Sequence, residues 1–184
     1  IAGTFASADH DLVLAIATPT AIAVAQAVTD TPVLFTAVTD PLDAGLVAAA
    51  DAPGANVTGT SDANPVREQL ELIREFVPDA GSIGVIYSPG EPNSVVQVNW
   101  VKEAAAQLGL EVVEATAVTT ADVQQAADTL DVDAIYVPTD NTVVSALDAV
   151  IQVGETKQIP VFAAEGDSVA KGAVATVGIS YYDL

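Results

Sequence analysis

Short runs of apolar and β-branched residues alternate along the chain with longer stretches in which apolar positions recur every three or four residues. The short runs predict strands buried in a sheet, and the longer stretches predict helices that pack against it. This alternation is typical of β-α units, so we expect an α/β fold with parallel sheets flanked by helices. The predicted strands cover residues 12–16, 33–36, 83–87, 110–115, 134–137, 159–163 and 173–177.

Local start and stop signals support the predicted helices. Thr18 and Asn64 stand directly before Pro19 and Pro65, and a polar side chain followed by proline is a common start of a helix. Gly109 marks the end of another helix, because glycine readily adopts the backbone of a C-cap. The predicted helices cover residues 19–28, 65–76, 94–108, 120–130 and 141–156.

Residues 51–64 interrupt the alternation with Gly, Pro, Asn and Asp around a single short extended piece. Such a segment predicts a crossing between two α/β lobes, and residues 178–181 predict a second crossing. We therefore expect residues 1–58 to form part of a first lobe, completed by residues 179–184 and by chain outside this sequence. Residues 59–178 are expected to form a second α/β lobe.

Composition narrows the classes of partner. The 184 residues are 51% hydrophobic, which is enough for a sizeable core and excludes disorder. Twenty-five acidic residues against five basic ones give a net charge of −20, so nucleic acid and anionic membrane surfaces are excluded as partners. No apolar run approaches the ~18 residues of a membrane-spanning helix. The sequence has no cysteine, which excludes disulfides and thiolate metal sites.

Catalytic motifs find little support in the sequence. His10 is the only histidine and precedes the first predicted strand, so neither a Ser-His-Asp triad nor a histidine metal site is expected. The glycine-rich phosphate motifs are absent. We therefore expect no enzyme activity, no metal and no cofactor. An α/β enzyme that uses the carboxylates of Asp140 and Glu165 stays an alternative.

The loops that follow the predicted strands are unusually polar. In open parallel sheets, ligands bind at the carboxyl ends of the strands, so these loops hold the candidate ligand-binding residues. Hydroxyls in the first lobe suit a carboxylate, and acids in the second lobe suit an ammonium, which together predict an amino-acid ligand. The candidates are Thr18, Thr20, Thr39 and Asp40 in the first lobe, and Asn93, Ser94, Asp140, Asn141, Glu165 and Asp167 in the second.

Ordinary structural roles explain the same residues and stay open as alternatives. Thr18 and Asp140 stand where a helix N-cap is expected. Thr39 with Asp40 fits a simple turn, and Glu165 with its neighbours fits a solvated turn. Asn93 belongs to a loop that leads into a capped helix. The grouping of five polar loops at one edge favours a binding site.

Long segments of the chain resemble one known family. They are PVLFTAVTDPLDAGLV at 32–47, PGANVTGTSD at 53–62, QLELIREFVPDAGSIGVIYSPGEPNS at 69–94 and VDAIYVPTDNTVVSAL at 132–147. These segments resemble the substrate-binding proteins of ABC transporters, in the family that includes tryptophan and tyrosine receptors. The resemblance runs along nearly the whole chain, in the order of the family.

The resemblance implies a type I periplasmic-binding-protein fold, with two lobes joined by three crossings and a ligand captured by hinge closure. It implies ligand contacts from residues 17–21 and 36–41 in the first lobe. It also implies that the family's lipoprotein anchor and first β-α units lie outside these residues, so that the first lobe is incomplete. The expected partners are an amino-acid-like ligand and an ABC permease.

The sequence therefore predicts an extracytoplasmic solute receptor of an ABC importer, held at the membrane only through a lipid anchor. The alternative is the effector-sensing domain of a regulator or receptor built on the same fold. A repressor needs a basic DNA-binding element, and the only bases here are Arg67, Arg74, Lys102, Lys157 and Lys171.

Overall fold

A computed structural model describes residues 1–182 and residue 184. The chain divides into two compact units. The first unit is Ile1–Ala63 with Ser180–Leu184, and the second is Asn64–Ile179.

The first unit is built on a three-stranded parallel sheet in the order β1-β2-β3. Its core is formed by one face of the sheet, including Val13 and Phe35, against Val24 of the helix between the first two strands. The elements are α1 (Ala2–Ala6), β1 (Val13–Ile16), α2 (Thr18–Ala27), β2 (Val33–Val38) and β3 (Val57–Ser61).

The second unit has a four-stranded parallel sheet in the order β5-β4-β6-β7, with helices on both faces. Its elements are α3 (Val66–Phe76), β4 (Ser82–Tyr87), α4 (Pro92–Leu108), β5 (Glu111–Thr116), a 3-10 turn (Thr120–Asp122), α5 (Val123–Asp128), β6 (Ala134–Val137), α6 (Asn141–Val144), α7 (Leu147–Lys157), β7 (Val161–Ala163) and α8 (Gly166–Ala170). Successive residues of β6 pack into separate hydrophobic clusters: Ile135 lies in the cluster that contains Val150 of α7, and Tyr136 lies in the cluster that contains Leu70 of α3. The predicted α/β class with parallel sheets is confirmed.

One predicted strand is wrong and one strand was missed. Residues 173–177 are irregular. Val174 N donates to Val161 O at 2.7 Å, but a single hydrogen bond does not form a β-ladder. Conversely, β3 lies in the segment that was expected to be only a crossing, and Val57 pairs with Val33 of β2. The sequence VTGTS has one buried apolar residue, so the hydrophobic pattern alone is too weak to identify it.

The predicted helix 141–156 is broken into α6 and α7. Ser145 Oγ donates to Asn141 O at 2.7 Å, and Ala146 leaves the helical backbone at φ −120° and ψ 26°. The short helices α1 and α8 were not predicted, because five residues are too few for a recognisable period.

The strand β1 is buried on one face only. Leu14 and Ile16 are 61% and 58% exposed, while Val13 and Ala15 are buried. The strands β6 and β7, by contrast, are buried at every residue, as expected for parallel strands between helix layers. Within the described residues, no helix is both long enough and apolar enough for a membrane span.

A buried polar group in the second unit connects segments that are far apart in sequence. Gln69 Nε2 donates to Val177 O at 2.8 Å and to Ala164 O at 3.2 Å, and Gln69 Oε1 accepts from the hydroxyl of Tyr136 at 2.6 Å. Burial raises the pKa of Tyr136, so this hydroxyl stays a donor. The irregular segment before Gly178 is thereby fixed to the core without forming a strand.

Candidate functional site

Asp140 joins two loops at the carboxyl edge of the second unit's sheet. It is fully buried, and its carboxylate accepts from Ser88 N at 2.6 Å, from Val143 N at 2.8 Å and from the side chain of Ser94. Burial raises the pKa of Asp140, and these donors offset only part of that effect. Asp140 is therefore the N-cap of α6 and a link to the loop after β4, so the capping alternative describes its contacts.

Glu91 is a central residue of this edge that the sequence analysis missed. Its carboxylate accepts from the backbone N and side chain of Asn141 at 2.9 and 2.6 Å, and from those of Thr142 at 2.9 and 2.8 Å. Burial alone raises the pKa of Glu91, but these four donors together hold it below its ordinary value. The sequence does contain one signal for Glu91. It stands directly before Pro92, at the N-cap position of a helix, where glutamate is a poor cap, and this suggests that its carboxylate has another role.

The first turn of α4 is tied to the segment that precedes α6. Asn93 Nδ2 donates to Thr139 O at 2.9 Å, and Thr139 N donates to Gln97 Oε1 at 3.1 Å. Both amide side chains are buried. Asn93 Oδ1 is a buried acceptor without a hydrogen-bond partner in the part of the chain that the structure describes. Four predicted residues therefore come together here: Asn93, Ser94, Asp140 and Asn141.

After the neighbouring strand β7, Glu165 directly precedes α8, and Asp167 lies in its first turn. The buried carboxylate of Glu165 caps this helix, accepting from Asp167 N at 2.7 Å and from both the backbone N, at 3.0 Å, and the hydroxyl of Ser168. Asp167 is exposed. Among the described residues, no hydrogen bond joins Glu165 to the network around Asp140.

Thr18 and Thr39 meet at the carboxyl edge of the first unit's sheet. Both are buried, and Thr18 Oγ1 accepts from Thr39 N at 3.2 Å. The N-cap of α2 is Ala17, and Thr18 makes no capping bond, so the capping alternative for Thr18 is wrong. Thr20 is exposed on α2.

Asp40 belongs to the turn that follows this pair. Its Oδ1 accepts from Leu42 N and Asp43 N, both at 3.0 Å, so the turn interpretation describes the contacts of this side chain.

Asp62 is a second acid that the sequence analysis did not select. It is buried, and the hydroxyl of Tyr181 donates to it at 3.3 Å. Burial raises the pKa of Asp62 despite hydrogen bonds that act in the opposite direction.

Each unit therefore has a parallel sheet with a buried polar network at its carboxyl edge. That arrangement defines a class of α/β domains that bind small molecules beyond the ends of the strands. The sequence profile of one family, described as ABC transporter substrate binding protein, matches residues 1–184. The chain belongs to this family, and its fold is the type I periplasmic-binding-protein fold.

Some of the proteins that are similar to this chain have described ligands. A tyrosine-binding protein of Clostridioides difficile (strain R20291) is 44% identical over 186 residues, which cover 100% of this chain and 54% of the relative. The ABC domain from Streptococcus pneumonia in complex with L-Trp is 37% identical, with a TM-score of 0.96, covering 99% of this chain and 62% of that one. A conserved domain protein from Vibrio cholerae is 44% identical, with a TM-score of 0.97 and the same coverage. The chain spans about half the length of the curated relative.

Proposed function

We propose that the full-length protein is an extracytoplasmic receptor that binds an aromatic amino acid and delivers it to an ABC importer. The observation that carries this proposal is the family match along all 184 residues, with relatives described as binding tyrosine and L-Trp. Hinge closure on the ligand, an ABC permease as partner and a lipid anchor are further parts of the proposal. The effector-domain alternative rests on the shared fold alone.

The polar groups of the first unit suit the carboxylate of such a ligand. Thr18 lies at the start of α2, where the helix dipole favours a negative charge, and its hydroxyl can donate to a carboxylate while its oxygen accepts from Thr39 N. Thr39 stays a predicted contact, and its side chain also hydrogen-bonds to the buried Asp62. Thr20 lies two residues further along the helix and is exposed. Asp40 acts in this proposal by shaping the adjoining turn, since its carboxylate already accepts two backbone bonds.

The second unit supplies an acceptor for the ligand's ammonium. Asp140 and Glu165 each accept three hydrogen bonds from protein donors, so we assign them, with Glu91, first to holding the loops. Asn93 Oδ1 has no partner among the described residues, and an ammonium donor would satisfy it. Ser94, Asn141 and Asp167 stay predicted contacts of the ligand.

The test is calorimetry on the full-length protein with L-tyrosine, L-tryptophan, L-phenylalanine, L-leucine and L-aspartate, after native mass spectrometry has established whether a ligand co-purifies. Stoichiometric binding of an aromatic amino acid is expected, and binding of none of the three aromatic amino acids would contradict the proposal.

Two variants on one helix test the contact from Asn93. Asn93→Ala should weaken binding at least about tenfold, which is about 1.4 kcal/mol, because a hydrogen bond to a charged group is lost. Asn99→Ala is the control, since Asn99 is exposed on the same helix. Melting temperatures separate lost binding from lost folding, and equal affinities for the two variants would remove Asn93 from the site.

A further inference from the structure

Two alanines in the first unit have a backbone conformation that L-residues rarely adopt. Ala17 has φ 72° and ψ 153°, and Ala37 has φ 54°. The region of Ala17 is almost restricted to glycine. One other non-glycine residue in the described part of the chain has a positive φ, Gln158, and it ends α7 in the ordinary left-handed manner.

Both alanines lie where a strand ends, on neighbouring strands of one sheet. Ala17 directly follows β1. Ala37 is the penultimate residue of β2, where the register with β3 shifts between Phe35 and Val38. The two strained positions therefore flank the carboxyl edge that holds Thr18 and Thr39.

Hydrogen bonds on each side keep the strained backbone in place. Ala17 N donates to Thr36 O at 3.0 Å, and Ala17 O accepts from Ala21 N at 3.0 Å. The bond from Thr39 N to Thr18 Oγ1 then joins the two loops, and Thr39 O accepts from Ser61 Oγ at 3.0 Å. Without these bonds, an alanine relaxes to a negative φ.

We infer that Ala17 and Ala37 are positioning residues that make this edge a two-state element. In the strained state seen here, Thr18 and Thr39 are joined, and in a relaxed state with a negative φ at either alanine they separate. The inference rests on the proposed function, because a ligand carboxylate that contacts both loops gains both contacts only in the joined state. A ligand shifts such an equilibrium by binding the joined state more tightly than the relaxed one, and partial population of the joined state weakens the apparent affinity.

Glycine substitutions test this directly, because glycine removes the steric cost of a positive φ. In the full-length protein, Ala17→Gly and Ala37→Gly should raise the melting temperature, by about 2–4 °C for Ala17→Gly. The amide of Thr39 should exchange more slowly with solvent. The dissociation constant for L-tyrosine or L-tryptophan, whichever the wild type binds, should fall by up to about twofold as the joined state fills, because the state seen here holds at least about half of the population.

Ala23→Gly is the matched control. Ala23 is exposed in α2, where the same substitution should lower the melting temperature through lost helix propensity and leave the affinity unchanged. If Ala17→Gly is more stable than the wild type but binds the ligand with unchanged affinity, the strained backbone has a single conformation, and the inference of two states is overturned. Unchanged or lower stability would overturn the strain itself. If the wild type binds neither amino acid, the proposed function fails, and exchange at Thr39 alone decides whether the element has two states.

Discussion

The carboxylate of Glu91 holds the start of α6 from a loop 50 residues earlier in the sequence. Glu91→Gln changes this contact with little change of volume. The amide keeps one acceptor oxygen, but its NH2 group then faces donors of Asn141 or Thr142. The substitution therefore removes about half of the accepted bonds and introduces a contact between two donors.

The expected loss follows from the four bonds of 2.6–2.9 Å. A hydrogen bond to a charged group contributes about 1.5–3 kcal/mol, and bonds to a shared acceptor are not additive. Asn141 is exposed and Thr142 half-buried, so the donors that are released can reach water. Losing two of the bonds should therefore cost about 1–3 kcal/mol. In a domain of this size, that corresponds to a melting temperature lower by about 3–9 °C.

Urea unfolding of the full-length protein measures this loss. Trp100, the only tryptophan in these 184 residues, lies on α4 and reports on the second unit. Hydrogen exchange in peptides from residues 138–146 then localises the effect.

The pH dependence of stability adds an independent check. The pKa of Glu91 is lowered in the folded state, so its ionisation stabilises the fold above the unfolded pKa of about 4.3, and this contribution is lost as the pH falls through the folded pKa. The difference in unfolding free energy between wild type and Glu91→Gln should therefore be constant above about pH 5 and shrink in more acidic solution.

Glu103→Gln provides the control for a lost negative charge, because Glu103 is exposed on α4, the helix that Glu91 directly precedes. We expect it to change the unfolding free energy by less than about 0.5 kcal/mol. The reasoning about Glu91 is refuted if Glu91→Gln behaves like this control, or if its stability difference from wild type is the same at pH 3.5 and pH 7.

Two further substitutions test packing and a buried hydrogen bond. Tyr136→Phe should lower the unfolding free energy by about 2 kcal/mol, because Gln69 Oε1 loses the hydroxyl donor at 2.6 Å and stays buried. Urea unfolding measures this loss, and a value below about 0.5 kcal/mol would mean that the hydrogen bond does not stabilise the fold. Gly59→Ala should cost about 3 kcal/mol or more, since the added Cβ would lie 1.9 Å from Phe35 O and force β2 and β3 apart. Gly166→Ala, where no atom lies within 4 Å of the added Cβ, is the control, and equal melting temperatures for the two alanine variants would contradict the close approach at Gly59.

Features that depend on neighbours along the chain were predicted well from the sequence. The strands β4 and β6 and the helices α2 and α3 agree with the predicted segments to within about two residues. Hydrophobic period, proline and glycine carry this information, and each acts within one or two turns of backbone. The polar loops after the strands were found in the same way, because they directly follow strands that the pattern identifies.

The roles of the acids at those loops could not be predicted. For Asp140, both a contact with an ammonium and a helix N-cap were predicted as alternatives, and the structure shows the contacts of the cap, from Ser88 and Val143. Glu91 was not selected, because its partners Asn141 and Thr142 come from a different loop. A carboxylate in a polar loop has the same appearance in sequence whether it faces a ligand or a backbone N–H group.

The sequence by itself determined the α/β class, most strands and helices and the strongly negative net charge, because these follow from local patterns and composition. It also identified the family, through the resemblance of long segments to known members. The tertiary structure alone decided that residues 57–61 pair as a strand, that 173–177 do not, and that Ala17 and Ala37 are strained. The reason is physical. These features depend on hydrogen bonds between groups distant in sequence, and such bonds override weak local preferences.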